Sequence, residues 1–197
     1  MRKAVVNRET HETKIELSLN LDEAGLINSS AKNIATGVGF FDHMLTALAF
    51  RAGVTLNITC DGDLEVDDHH TVEDIGITLG LAFKEALGER RGIARFGNAV
   101  VPMDEALAKC ALDISGRGFL VFNAEIPMQK IGDFTTEMVE EFFRAFAVQA
   151  GITLHINLAY GKNTHHIIEA IFKSVGMALS QAIKIEGTHV PSTKGVL

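Results

Sequence analysis

The 197-residue chain is predicted to be an α+β protein, a two-layer sandwich made by internal duplication of one half-domain in which a mixed sheet packs against two helices. Three observations predict this. Ala52-Gly53-Val54-Thr55-Leu56-Asn57-Ile58 matches Ala150-Gly151-Ile152-Thr153-Leu154-His155-Ile156, 98 residues later. His69-His70-x-x-Glu73 matches His165-His166-x-x-Glu169 at a spacing of 96, and Gly80, Ala82 and Ala86 fall opposite Gly176, Ala178 and Ala182 at that same spacing. Both halves also run through strands and helices in one order. Self-similarity at a nearly fixed offset marks a repeated structural unit.

Lys14–Leu21 alternates apolar and polar residues as a half-buried strand does, and Ala108–Asp113 is its counterpart. Further strands are expected over Lys32–Thr36 and Gly118–Glu125. Phe40–Phe50 and Glu137–Ala147 carry apolar residues at helical spacing, closed by Gly53 and Gly151. Val54–Cys60 and Ile152–Leu158 are strands rich in branched side chains. His70–Leu87 and His165–Ile185 read as second helices, with Asp67/Asp68 and Asn163/Thr164 as N-terminal caps. The halves are expected to span residues 1–90 and 91–187 of one compact domain, with 188–197 an irregular polar tail.

Hydrophobic residues make up 47% of the chain, enough for a substantial shared core. A net charge of −7 argues against a nucleic-acid partner. No apolar run has the length of a membrane span, and the charged start, Met1 to Glu9, lacks the apolar stretch of a signal peptide. Cys60 and Cys110 stand alone in apolar stretches, which points to free thiols in a reducing, cytoplasmic compartment.

Four of the eight histidines form two adjacent pairs. Residues i and i+4 share a helix face, so His69 with Glu73, and His165 with Glu169, can each chelate one ion. His70 and His166 point about 100° away and would serve a different ion. Imidazole with carboxylate suits Mn, Fe, Co, Ni or Zn, whereas calcium takes oxygen ligands only. His43 opens the first helix and is a further candidate ligand; the 98-residue offset places Glu141 opposite it. The plainer alternative is that these are exposed polar residues near helix starts.

Several segments together are similar to signatures of the imidazoleglycerol-phosphate dehydratase family. They are Gly39-Phe40-Phe41-Asp42-His43-Met44-Leu45, Asp67-Asp68-His69-His70-Thr71-Val72-Glu73-Asp74 and Pro102-Met103-Asp104-Glu105-Ala106-Leu107. Asp113-x-Ser115-Gly116-Arg117, Gly161-Lys162-Asn163-Thr164-His165-His166-Ile167-Ile168-Glu169-Ala170 and Pro191-Ser192-Thr193-Lys194-Gly195-Val196-Leu197 continue the set in family order. The resemblance implies a duplicated fold of the ribosomal S5 domain 2-like kind. It implies two divalent metal ions, Mn²⁺, in each active site, and a 24-subunit homo-oligomeric shell whose neighbouring chains complete one another's sites. The implied reaction is dehydration of imidazoleglycerol phosphate to imidazoleacetol phosphate in histidine biosynthesis.

That reaction breaks a carbon–hydrogen bond with no carbonyl beside it. Metal ions on the ring nitrogens would supply the missing electron sink by stabilising an imidazolate. By resemblance the metal ligands are His43, His69, His70, Glu73, Glu141, His165, His166 and Glu169, with Glu73 and Glu169 also counted as catalytic. Glu12 matches a family glutamate placed to remove the side-chain proton, with Asp104 and Glu105 as alternative bases. Arg95, Arg117, Lys173, Ser192 and Lys194 are assigned to the substrate phosphate. One departure stands out: the family segment often reads Glu-His-Phe-Phe where this chain has Glu140-Glu141-Phe142-Phe143. Two other function classes use similar histidine pairs, a non-catalytic metal-binding shell and a binuclear metallohydrolase. The first would not need the converging cations, and the second would need an activated water between its ions.

Overall fold

The structure, a computed structural model, describes residues 1–22, 34–195 and 197. In chain order the first half contains β1 (Lys3–Glu9), β2 (Thr13–Asn20), β3 (Ile34–Ala35), α1 (Gly39–Ala52), β4 (Thr55–Gly62) and α2 (His69–Leu87). The second contains β5 (Phe96–Met103), β6 (Ala106–Asp113), β7 (Phe119–Asn123), β8 (Lys130–Ile131), β9 (Phe134–Thr135), α3 (Met138–Ala150), β10 (Thr153–Tyr160) and α4 (Thr164–Ala182). The large sheets have orders β1-β2-β4-β3 and β5-β6-β10-β7, so the duplication extends to topology. In each, three strands are antiparallel and the last, β3 or β7, runs parallel to its neighbour. Both sheets are mixed, as expected.

Period-two burial explains the central strands. Ile15, Leu17 and Leu19 of β2, and Ala106, Ala108, Cys110 and Leu112 of β6, turn inward while their neighbours face out. The sequence reading did not anticipate β1 and β5. Both are edge strands, and β5 buries only Gly97, Ala99 and Val101, side chains too small to give a strong apolar signal. Pro102 near its end is tolerated because an edge strand has one unpaired side. Of the strand expected over Lys32–Thr36, Ile34–Ala35 forms β3; Lys32, Asn33 and, in the tail, Val196 lie outside the described residues.

Gly53 and Gly151 end α1 and α3 in the left-handed region, at φ 68° and 67°, as expected of residues without a Cβ. Asn163 caps α4, its side chain accepting from the N–H groups of His165 and His166. Asp68 departs from the capping expectation. Its carboxylate accepts instead from Thr135 N–H and Thr135 Oγ1, at 2.6 and 2.7 Å, while Asp67 accepts from His69 N–H. Asp68 thereby ties the β8–β9 hairpin to the start of α2. The last helix is also shorter than expected, because Ile185 leaves it to bridge Ile93.

The helices lie between the two sheets and pair across the halves, α1 against α4 and α2 against α3. Glycine permits these crossings. A Cβ on Gly80 of α2 would sit 2.7 Å from the Phe146 carbonyl oxygen of α3, and one on Gly176 of α4 would sit 2.6 Å from the Leu48 carbonyl oxygen of α1. Phe142 of α3 closes the shared core, its ring 5.2 Å from Phe41 and 5.4 Å from Phe172. No helix among the described residues is long and apolar enough to cross a membrane.

Candidate active site

The α1–α4 crossing delivers His43 to the first turns of α4. There His43 Nε2 lies 3.6 Å, and His165 Nε2 3.1 Å, from Glu169 Oε2. One ligand atom from each of the three residues falls within 4.8 Å of the other two, the single such set of three among the described residues. Ligand atoms held about 2.0–2.2 Å from one ion stand roughly 3–4 Å from each other, so this donor set fits a divalent cation. Phe40 supports it edge-on, its ring centroid 5.0 Å from that of His165.

Glu169 is buried and salt-bridged, with Lys173 Nζ 2.6 Å from its Oε1. Burial raises its pKa, but the Lys173 ammonium, with His43 and His165, outweighs that and leaves it below the ordinary glutamate value. The carboxylate therefore stays ionised and ready for a cation.

The corresponding α2–α3 crossing carries His69 and Glu73, with Nε2 and Oε2 3.4 Å apart. His69 and Glu141 line one 420 Å³ cleft together with Phe122, Ile126 and Met128. Glu141 pairs with Arg144 at 3.5 Å rather than joining a converged set.

His70 and His166 are turned away from their neighbours, as helical spacing requires. Each is tethered at Nδ1: His70 to Asp63 at 2.9 Å, His166 to Glu105 at 2.7 Å. Their Nε2 atoms face Glu12 and Asp104 respectively, each at 3.6 Å. The hydrogen bond to its carboxylate raises the pKa of each histidine. Glu105 falls to about 2, chiefly because it accepts the Asn163 N–H and also holds His166. Asp63 was not singled out from sequence; no repeat or motif marks a lone aspartate in a turn.

The cations assigned to phosphate are more dispersed. Arg95 forms a two-pronged pair with Asp113, at 2.6 and 3.0 Å, and donates from Nη1 to the Pro191 carbonyl at 2.9 Å. It thus anchors the tail that carries Ser192, whose Oγ accepts the Lys194 N–H, and Lys194 itself. Arg117 stands in a turn whose carbonyl accepts from Ser115 and Thr153 hydroxyls. Lys173 belongs with the histidine cluster, its Nζ pairing with Glu169 and reaching Met103 Sδ at 3.4 Å.

A duplicated α+β fold that gathers imidazole and carboxylate ligands at helix crossings defines a candidate metalloprotein. Comparison with known proteins narrows the class. The family pattern described as imidazoleglycerol-phosphate dehydratase matches residues 36–179. Imidazoleglycerol-phosphate dehydratases of Oceanobacillus iheyensis and Listeria monocytogenes are 55% and 58% identical, each alignment covering 100% of both chains. The crystal structure of imidazoleglycerol-phosphate dehydratase from Staphylococcus aureus matches with a TM-score of 0.80 and 42% identity, over 93% of this chain and 99% of that one. The Pyrococcus furiosus structure, a complex with (S)-C348, gives 0.81 and 41%, over 98% and 100%. The chain belongs to the imidazoleglycerol-phosphate dehydratase family. It is accordingly a hydro-lyase of histidine biosynthesis, in a family that implies metal use.

Proposed function

We propose that this chain converts imidazoleglycerol phosphate to imidazoleacetol phosphate in the cytoplasm, using two divalent ions, Mn²⁺, in each active site. The convergence of His43, His165 and Glu169 from opposite halves is the observation that carries this reading. These three would hold one ion, and His69, Glu73 and Glu141 are the counterpart residues on α2 and α3 that would hold another. His70 and His166, turned outward with Nδ1 tethered, would use Nε2 to complete ions on neighbouring chains of a 24-subunit shell. Among the described residues Nε2 makes no hydrogen bond and faces a carboxylate at 3.6 Å in each case. When bound, divalent ions supply Lewis acidity toward the substrate's imidazole ring.

The remaining work falls to side chains. Glu12 is half-exposed, with its carboxylate 3.6 Å from His70 Nε2, and is the base that takes the side-chain proton. With that carbon–hydrogen bond broken, the hydroxyl on the adjacent, ring-bearing carbon departs with its bonding pair, the proton taken by the base balances it as water, and the resulting enol tautomerises to the ketone. Arg95, Arg117, Lys173, Ser192 and Lys194 would hold the phosphate, the tail residues 188–197 serving as the substrate-binding segment. Glu73 and Glu169 act through the ions they bind.

The decisive assay follows imidazoleacetol phosphate formation in chelated protein with and without added Mn²⁺. Turnover that appears on Mn²⁺ addition and is lost in His165→Ala supports the proposal. Full turnover in exhaustively chelated protein overturns it.

A further inference from the structure

The two hairpin turns that face the outward histidines are equivalent by the duplication but are held in different ways. With Thr13 of β2 opposite Ala106 of β6, Glu12 stands opposite Glu105. The Glu105 carboxylate is fully engaged: it accepts from Asn163 N–H at 2.6 Å and Lys162 N–H at 3.1 Å, and holds His166 Nδ1. Such a group pins its own turn and has little freedom to exchange a proton with a substrate.

The Glu12 carboxylate accepts no such hydrogen bond among the described residues; it faces His70 Nε2 at 3.6 Å, and the residue's hydrogen bonds are made by its backbone. Its N–H donates to Thr10 Oγ1 at 3.1 Å, and its carbonyl accepts from Asp63 N–H at 3.1 Å. The turn is instead fixed from below by Asp74, which is buried on α2. Asp74 Oδ2 accepts from Thr13 Oγ1 and from Arg8 Nη1, each at 2.5 Å. Thr10 Oγ1 also accepts the Thr13 N–H at 3.0 Å, so the contacts run from the helix through Thr13 to both sides of Glu12. Gly62, paired with Thr13, allows the close approach: a Cβ there would fall 2.1 Å from Thr71 Oγ1 of α2. The second half has Ala106 and Ala170 where the first has Thr13 and Asp74, so it lacks this network.

We propose that Asp74, acting through Thr13 and Arg8, is a positioning residue for Glu12, holding the turn so that the Glu12 carboxylate remains free to exchange a proton. The proposal rests on the reading of Glu12 as the base. A group that must gain and lose a proton cannot also serve as a permanent hydrogen-bond anchor, so in this half the anchoring is transferred to a buried carboxylate with a cationic partner. Duplication followed by divergence leaves Glu105 an orienting group for His166 and Glu12 a reactive one.

Thr13→Val, which removes the hydroxyl at constant shape, tests this in the assembled, metal-loaded enzyme. Displacement of a reacting group by about 1 Å costs up to roughly a hundredfold in rate, so kcat is expected to fall about tenfold with KM little changed. Thr13→Ser should restore it. Asp74→Asn, which keeps an acceptor for Thr13 but weakens the Arg8 pair, should lower kcat in the same direction and serves if Thr13→Val does not fold. In a Glu12→Gln background Thr13→Val should cause no further loss, since there is no base left to position. An unchanged kcat in Thr13→Val, or an equal loss in both backgrounds, overturns the positioning role while leaving Glu12 as base. Near-normal turnover in Glu12→Gln overturns the base assignment and the proposal with it.

Discussion

His43 Nε2 lies 3.6 Å from Glu169 Oε2 although the two residues belong to opposite halves of the chain. The contact exists because α1 crosses α4 closely enough, at Gly176, for a side chain of one helix to reach the N-terminal turns of the other. His43→Ala should therefore remove one bound ion without unfolding the core, since His43 is exposed. Turnover is expected to fall at least about a hundredfold, since loss of a mere hydrogen-bond partner of a metal ligand already costs roughly 10–100-fold. Metal stoichiometry beside the rate checks this: unchanged binding with lost turnover would assign His43 a role other than ligation.

Glu141 occupies the place opposite His43 but pairs with Arg144 at 3.5 Å. As a ligand, a carboxylate should favour Mn²⁺ over softer ions, so Glu141→His should retain activity and shift preference toward Zn²⁺ or Co²⁺. Glu141→Ala should weaken one ion and spare the other. Titration showing two ions bound as tightly as in the unaltered protein would reduce Glu141 to a partner of Arg144.

The helix crossings make a prediction about stability. Gly80→Ala would force a Cβ to within 2.7 Å of the Phe146 carbonyl oxygen, a backbone atom that cannot swing aside. A loss of about 1–3 kcal/mol is expected, as for other overpacked sites. Gly39→Ala, where a Cβ meets nothing within 4 Å, is the control and should change little. Urea unfolding of the two variants distinguishes the crossing from a general intolerance of alanine.

Acid should weaken the metal-free protein in part through Glu105. Its pKa is lowered from 4.5 to about 2, first by the Asn163 N–H and then by His166. Between those values the unfolded chain binds more protons than the folded one, so this contribution is present above about pH 4.5 and fades as pH falls toward 2. His166 acts oppositely: its pKa is raised above 6.5 by the bond to Glu105, so its contribution is complete below 6.5 and is lost as pH rises through the raised value. Urea midpoints between pH 2 and 8 should decline at both ends, and Glu105→Gln should flatten both declines. A Glu105→Gln profile parallel to that of the unaltered protein would rule this coupling out.

Much of this architecture is legible in the sequence because it is encoded locally. The repeat offsets, the alternation in β2 and β6, the glycines after α1 and α3, and the shared face of His165 and Glu169 each follow from periodicity over a few residues. The edge strands β1 and β5 were not legible, since strands with one neighbour and small inward residues carry a weak pattern. Asp68 looked like a cap because position alone suggests one, but Thr135 from a distant hairpin competed for its carboxylate. Only the tertiary structure decided that α1 pairs with α4 and α2 with α3, bringing His43 to His165 and Glu169 from opposite halves, and that, among the described residues, the Glu12 carboxylate makes no hydrogen bond where that of Glu105 is held by three. The physical reason is range: helix and strand periods are set by neighbours in sequence, whereas helix partners and the fate of a carboxylate depend on which distant backbones approach most closely.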